Sequence, residues 1–152
     1  MTLLAIARPD GGLSLMRLLD DADPEAELAK WQTVHPDGYL GYHIIGEADV
    51  PEDRIFRNAW VMDGKTIGCD MDKAREIHRD AMRAARTPKL AALDIAYQRA
   101  DEAKDDAAKA VIAAQKQELR DVTADPRIDA AQTPAELKAV WPEVLGVTTP
   151  SR

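Results

Sequence analysis

Residues 71–122 read MDKAREIHRDAMRAARTPKLAALDIAYQRADEAKDDAAKAVIAAQKQELRDV, and this stretch decides the fold. It is alanine-rich, with larger apolar residues recurring at helical spacing. Asp70 is placed to cap a first helix, Met71 to Arg86. Thr87-Pro88 then reads as a break and a restart, with Thr87 as cap and Pro88 in the first turn of the next helix, where a missing N–H costs little. That second helix, residues 88–103, sets Leu90, Leu93, Tyr97 and Ala100 at spacings of three and four. Lys104-Asp105-Asp106 is a polar turn or a continuation. A third helix, about 106–122, carries the seam Ala108, Ile112, Gln115, Leu119 and Val122, with Gln115 as its polar interruption. A seam under three heptads long suits an intramolecular helical hairpin better than a long coiled coil.

Downstream, Asp125-Pro126 closes the third helix. Thr133-Pro134-Ala135-Glu136 fits a capping box and opens a last short helix, 134–141, ending at Trp141-Pro142. The tail Gly146–Arg152 is expected to fray. Upstream, the apolar runs Thr2–Arg8 and Leu13–Leu19 bracket Pro9-Asp10-Gly11-Gly12, the signature of strand, tight turn, strand. Asp23-Pro24 starts a helix that runs to about Val34. Tyr39–Ile45 reads as a strand, and Phe56–Met62 with Lys65–Cys69 as a hairpin around Asp63-Gly64. The expected fold is α+β: a small antiparallel sheet with one helix in residues 1–69, then a helical domain in residues 70–152.

The charge is uneven. Residues 1–69 hold 12 acids and 6 bases, 70–122 hold 11 of each, and 123–152 hold 4 acids and 3 bases. The formal charge of −7 therefore sits almost wholly at the front, and a basic footprint for nucleic acid is not expected. The single cysteine, Cys69, excludes an intrachain disulfide and suits a reducing compartment. The N-terminal apolar run is too short for a signal peptide or a membrane span, so synthesis in the cytoplasm without membrane association is expected.

No constellation for catalysis, cofactor or metal stands out. His35, His43 and His78 lie outside metal-ligand spacing, and His78 is read as a surface or half-buried side chain. Cys69 precedes a helix N-terminus that would lower its pKa, yet with no histidine near in sequence it reads as structural. Ser14 and Ser151 lack a nucleophile elbow, and Gly11-Gly12 lacks the Lys-Ser/Thr of a phosphate loop. The run Arg99–Asp106 does not match a calcium loop and reads as a solvated helix end. Trp31, Trp60 and Trp141 are expensive to expose and belong by default to cores. Trp141, beside Pro142 with little chain left to cover it, is the best candidate anchor for a partner.

Several short pieces resemble a known group. These are Phe56-Arg57-Asn58-Ala59-Trp60, Asp70–His78, Arg83-Ala84-Ala85-Arg86, Leu93-Asp94, Lys116-Gln117-Glu118-Leu119-Arg120-Asp121 and Val140-Trp141-Pro142. Together they resemble phage and prophage proteins encoded beside tail-fibre genes. The last two pieces are similar to the pattern of tail-fibre assembly chaperones, in which Arg-Gln-x-Leu-Arg-Asp precedes a Trp-Pro near the C-terminus; here Lys116 takes the arginine's place. The resemblance implies a non-enzymatic viral protein in the host cytoplasm, without a cofactor, whose partner is a tail-fibre or other tail protein. Growing fibres expose apolar strand edges before they trimerise. A small protein could cover these through Trp141 and Pro142, or through the seam of Ile112, Leu119 and Val122. A second copy of the chain is a further candidate partner. The alternatives are a permanent tail or baseplate subunit of the virion and, ranked below it, an acidic inhibitor of a host protein.

Overall fold

The computed structural model describes residues 2–19 and 21–147. The last five residues of the tail expected to fray, 148–152, lie outside the described residues. The fold is α+β as expected, 57% helical and 17% strand. Two compact units divide the chain, Met1–Ala74 and Arg75–Arg152.

In the N-terminal unit, β1 (Thr2–Ala7) and β2 (Leu13–Arg17) form an antiparallel hairpin. Its turn follows from Pro9-Asp10-Gly11. The Gly11 N–H donates to the Arg8 carbonyl at 3.0 Å, and the Arg8 N–H donates to the Gly12 carbonyl at 2.9 Å. Gly11 takes φ 76°, a left-handed conformation that glycine adopts without strain. Next comes α1 (Pro24–Val34), with Asp23 accepting from the Glu25 N–H and proline in the first turn. β3 (Gly41–Gly46) returns antiparallel along the other side of β1, giving the order β2-β1-β3.

Central position explains why β1 reads TLLAIA with little alternation, since both its faces are covered. Leu4 and Ile6 pack with Leu18 and with Leu28 and Trp31 of α1. Leu3 and Ala5 pack on the opposite face with Ile45, Val50, Met62 and Ile67. The last two belong to a separate hairpin, β4 (Trp60–Asp63) and β5 (Thr66–Cys69). Its two-residue turn uses Gly64 at φ 62°. The strand expected from Phe56 begins only at Trp60, because Arg57–Ala59 close into a 3-10 turn. Buried Phe56 accepts there from the Ala59 N–H at 2.8 Å.

The helical half corrects one expectation. α2 runs unbroken from Met71 to Glu102 with Pro88 inside it. Pro88 removes one N–H donor and its ring crowds the preceding turn. In that turn the Thr87 hydroxyl donates to the Arg83 carbonyl at 2.8 Å, so Thr87 bonds backwards along a continuing helix and does not cap a new one. The helix ends where its last carbonyls are captured. Lys104 N–H donates to the Asp101 carbonyl (3.0 Å) and Asp105 N–H to the Ala100 carbonyl (2.9 Å), with Lys104 left-handed at φ 54°.

Asp105 then caps α3 (Asp106–Asp121) by accepting from the Ala108 N–H. The two helices run antiparallel as the expected hairpin, with Lys109 bridging Asp101 and Asp106, and Lys116 reaching Asp94 at 2.5 Å. The seam also needs correction. Gln115 is exposed, and Lys116 takes the inward position, its ammonium 5.6 Å from the Tyr97 ring centroid. Two further short helices follow, α4 (Pro126–Ala130), not foreseen in the sequence, and α5 (Pro134–Ala139), which stops two residues before the expected end at Trp141 because the Val140 N–H turns back to the Leu137 carbonyl. Thr133 caps α5 by accepting from the Glu136 N–H. The Glu136 carboxylate reaches back to the N–H of Gln132, one residue earlier than a capping box requires.

Candidate partner-binding site

The five residues singled out for a partner all lie in the C-terminal unit, and that unit is held by one recurring device. Side chains on α2 donate to backbone carbonyls of the segments that follow α3 or end it. Arg75 Nη2 donates to the Ala131 carbonyl at 2.9 Å, and Arg79 Nε to that of Thr123 at 3.3 Å. Arg86 Nη1 donates to the carbonyls of Leu119 and Arg120. His78 Nε2 pairs with the Val140 carbonyl at 2.7 Å. A carbonyl only accepts, so Nε2 carries the proton. Helix ends leave such carbonyls unmatched, and these four side chains supply the missing donors.

This network decides the fate of each candidate. Leu119 (2% exposed) and Val122 (5%) are buried, and Ile112 is half-buried. They are spent on closing the hairpin, so the seam does not offer an outer surface. The physical reason is that Met82, Ile128, Leu137 and Leu145 are buried in the same unit and complete a core the alanine-rich helices could not form alone. Trp141 and Pro142 remain half-exposed. The Trp141 indole N–H donates to the Gly146 carbonyl at 2.8 Å, and its ring stands edge-on to His78 at 5.7 Å between centroids. The tryptophan is thus held in one orientation with part of its surface accessible. Ile95 and Val111 are exposed apolar side chains of the same hairpin.

His78, expected at the surface or half-buried, is 4% exposed. Burial pushes its pKa below 6.5, against the opposing pull of the Val140 hydrogen bond, and the nearby Arg79 charge lowers it further. Cys69 also departs from expectation. Burial and the adjacent Asp70 carboxylate raise its thiol pKa above the usual value, and no lowering by the helix N-terminus results. A protonated thiol is a poor nucleophile. Among the described residues no group of three or more His, Cys, Asp or Glu side chains is arranged to hold a metal ion. The acidic run at the α2–α3 turn is occupied structurally: Asp105 caps α3, and Lys109 neutralises Asp101 and Asp106. No described helix is long and apolar enough to cross a membrane.

One feature escaped the sequence reading. All four arginines of residues 1–69, Arg8, Arg17, Arg54 and Arg57, line two clefts of the N-terminal unit. The available signal was their scarcity in an acidic segment, but nothing in their spacing announces a shared surface. No family model, no curated protein and no solved structure matches this chain.

Proposed function

We propose that this chain is a non-enzymatic, protein-binding component of bacteriophage tail assembly that assists fibre assembly, with Trp141 and Pro142 as its contact. One observation carries the reading. The pieces that resemble tail-fibre-associated proteins hold each other in one interlocked unit: His78 and Arg86 come from two of them, and the carbonyls they reach, Val140 for His78 and Leu119 and Arg120 for Arg86, come from two others. That unit leaves the Trp-Pro of the resembling pattern half-exposed. A half-exposed, rotationally fixed tryptophan gives contact area at small entropic cost.

Co-expression with a tail-fibre protein encoded beside this chain, followed by pull-down, tests the reading. Trp141→Ala is expected to weaken the association at least about tenfold. Loss of the Gly146 hydrogen bond and of the His78 contact also destabilises the unit by about 1–2 kcal/mol, so retained helix content must accompany the measurement. Trp141→Phe, which keeps an aromatic ring, is expected to retain most of the binding. Mass spectrometry of purified particles separates an assembly factor, absent or substoichiometric, from a permanent tail or baseplate subunit at symmetric copy number. Unchanged association of the Trp141→Ala protein would remove Trp141 as the anchor.

A further inference from the structure

β2 is an edge strand, and the hydrogen-bond pattern shows which of its groups face outward. Leu18 N–H donates to the Thr2 carbonyl, and Arg8 N–H donates to the Gly12 carbonyl. These bonds fix Thr2/Leu18 and Arg8/Gly12 as bonded pairs of a register that also pairs Leu4 with Met16 and Ile6 with Ser14. In an antiparallel ladder bonded and non-bonded pairs alternate. The N–H and C=O groups of Leu13, Leu15 and Arg17 therefore point away from β1, along the open edge of the sheet.

Two clefts flank that edge, of about 390 Å³ and 530 Å³, and they share Leu15 and Arg54. The smaller one is lined by two tryptophans, Trp31, which packs on the Leu4 and Ile6 face, and Trp60 of β4. Charge is concentrated here against the trend of the unit. Residues 1–69 hold 12 acids and 6 bases, yet every arginine among those bases lines one of the two clefts, against two acids, Glu47 and Glu52, both in the larger cleft. Arg17 contacts Glu47 at 3.8 Å and Arg8 contacts Asp10 at 3.2 Å. The guanidinium groups of Arg54 and Arg57 make no hydrogen bond or ion pair with any described residue.

Local structure aims these groups. Asp53 accepts from the Ile55 N–H, and the Arg57 N–H donates to the Arg54 carbonyl, so the two arginines stand at the ends of one tight turn that leads into the 3-10 turn. Arg8 lies across Gly12, where an added Cβ would meet its guanidinium at 2.1 Å. Asp10 holds it there while accepting from the Gly12 N–H at 2.8 Å.

We propose that the open edge of β2 is a docking site for an extended, acidic segment of a partner protein, which adds to the sheet as a fourth strand. Main-chain hydrogen bonds to Leu13, Leu15 and Arg17 supply the pairing, and carboxylates meeting Arg54 and Arg57 supply the selectivity. The aromatic walls receive the apolar side chains of the incoming strand. The smaller cleft, lined by Arg8, Arg54 and Arg57 with no acid, is where an otherwise acidic unit accepts an acidic segment, and this fixes where the partner lands. The inference stands on the N-terminal unit alone and does not depend on the tail-assembly reading.

The test uses the full chain and an end-blocked heptapeptide of alternating valine and glutamate. Calorimetric titration is expected to show saturable binding, with the largest amide shift changes in NMR spectra at Leu13, Leu15 and Arg17. The lysine counterpart of the peptide is expected not to bind. N-methylation of the peptide amides that face β2 is expected to abolish binding, because it removes the donors of the new ladder. Arg54→Glu with Arg57→Glu is expected to weaken binding at least tenfold. Both side chains are exposed and unpaired among the described residues, so the far-UV spectrum should not change. Gly12→Ala, which displaces Arg8, is a second, independent variant expected to weaken binding. Absence of saturable binding, or equal binding of the lysine peptide, would overturn the proposal. Undiminished binding of the N-methylated peptide, or displacement by inorganic phosphate at equal concentration, would show a simple anion site and would overturn strand addition.

Discussion

Lys104 and Asp21 are the non-glycine residues with left-handed backbone among those described. Lys104 sits at the position after the end of α2 where glycine is favoured, and its Cβ is strained against the backbone there. Lys104→Gly is expected to raise stability by about 0.5–1 kcal/mol, read as a higher denaturant midpoint at unchanged slope. His78 gives a second expectation. Its folded pKa lies below the unfolded value of 6.5, so the folded state resists a proton that the unfolded state accepts. Its contribution to stability is therefore fully present above about pH 6.5 and declines as the pH falls from there toward the lower folded pKa. Melting temperatures at about pH 7.5 and about pH 5 should show a larger drop for the wild type than for His78→Gln, which lacks the titrating ring. An equal drop in the two proteins would assign the acid sensitivity to carboxylates.

Among the secondary-structure elements, α2 is the most instructive. Its two halves are bound by one partner helix. On the N-terminal side of Pro88, Arg86 reaches the carbonyls of Leu119 and Arg120; on the C-terminal side, Asp94 pairs with Lys116 and Asp101 with Lys109. α3 thus braces the helix across the proline. An interior proline disfavours helix by about 3 kcal/mol relative to alanine, partly offset by the stiffer unfolded chain and here by the Thr87 hydroxyl. Pro88→Ala is expected to stabilise the protein by about 1–2 kcal/mol, measured by chemical unfolding. A change near zero would mean that Pro88 already sits at a helix start, as its sequence context suggests. The β1–β2 hairpin and α1 behave in the opposite way. Their turn, cap and strand limits follow from Pro9-Asp10-Gly11 and Asp23-Pro24, because these signals act within four residues and need no distant partner.

At the scale of the molecule, the two units divide at Ala74 and Arg75, inside α2. The four donors on α2 and the carbonyls they reach lie between Arg75 and Val140. A fragment of residues 70–152, which keeps the Asp70 cap, is therefore expected to fold alone. It should melt cooperatively and retain the acid sensitivity of His78, as monitored by far-UV circular dichroism. A broad, non-cooperative melt would show that the helical unit requires the N-terminal one. Its core is small, built from Met82, Leu119, Ile128, Leu137 and Leu145 among alanines, so its stability should be modest.

Local signals in the chain set the punctuation and the class of the fold: the Gly11 and Gly64 hairpins, the Asp23 and Thr133 caps, the α1 limits and the helical hairpin. Each rests on short-range chemistry that any tertiary setting preserves. The sequence also marked Trp141 as unusual, although the cause of its orientation, the Gly146 carbonyl and the His78 ring, lies outside α5 and the residues next to Trp141. Tertiary structure alone decided the rest. Pro88 stays within a helix because α3 braces both sides of it. Lys116 displaces Gln115 from the seam because Asp94 and Tyr97 wait across the hairpin. His78 is buried because Val140, 62 residues away, needs a donor. The arginines of the N-terminal unit meet along β2 because a strand edge and a 3-10 turn happen to face the same clefts. Burial and long-range pairing depend on residues far apart in the chain, and no local pattern encodes that distance.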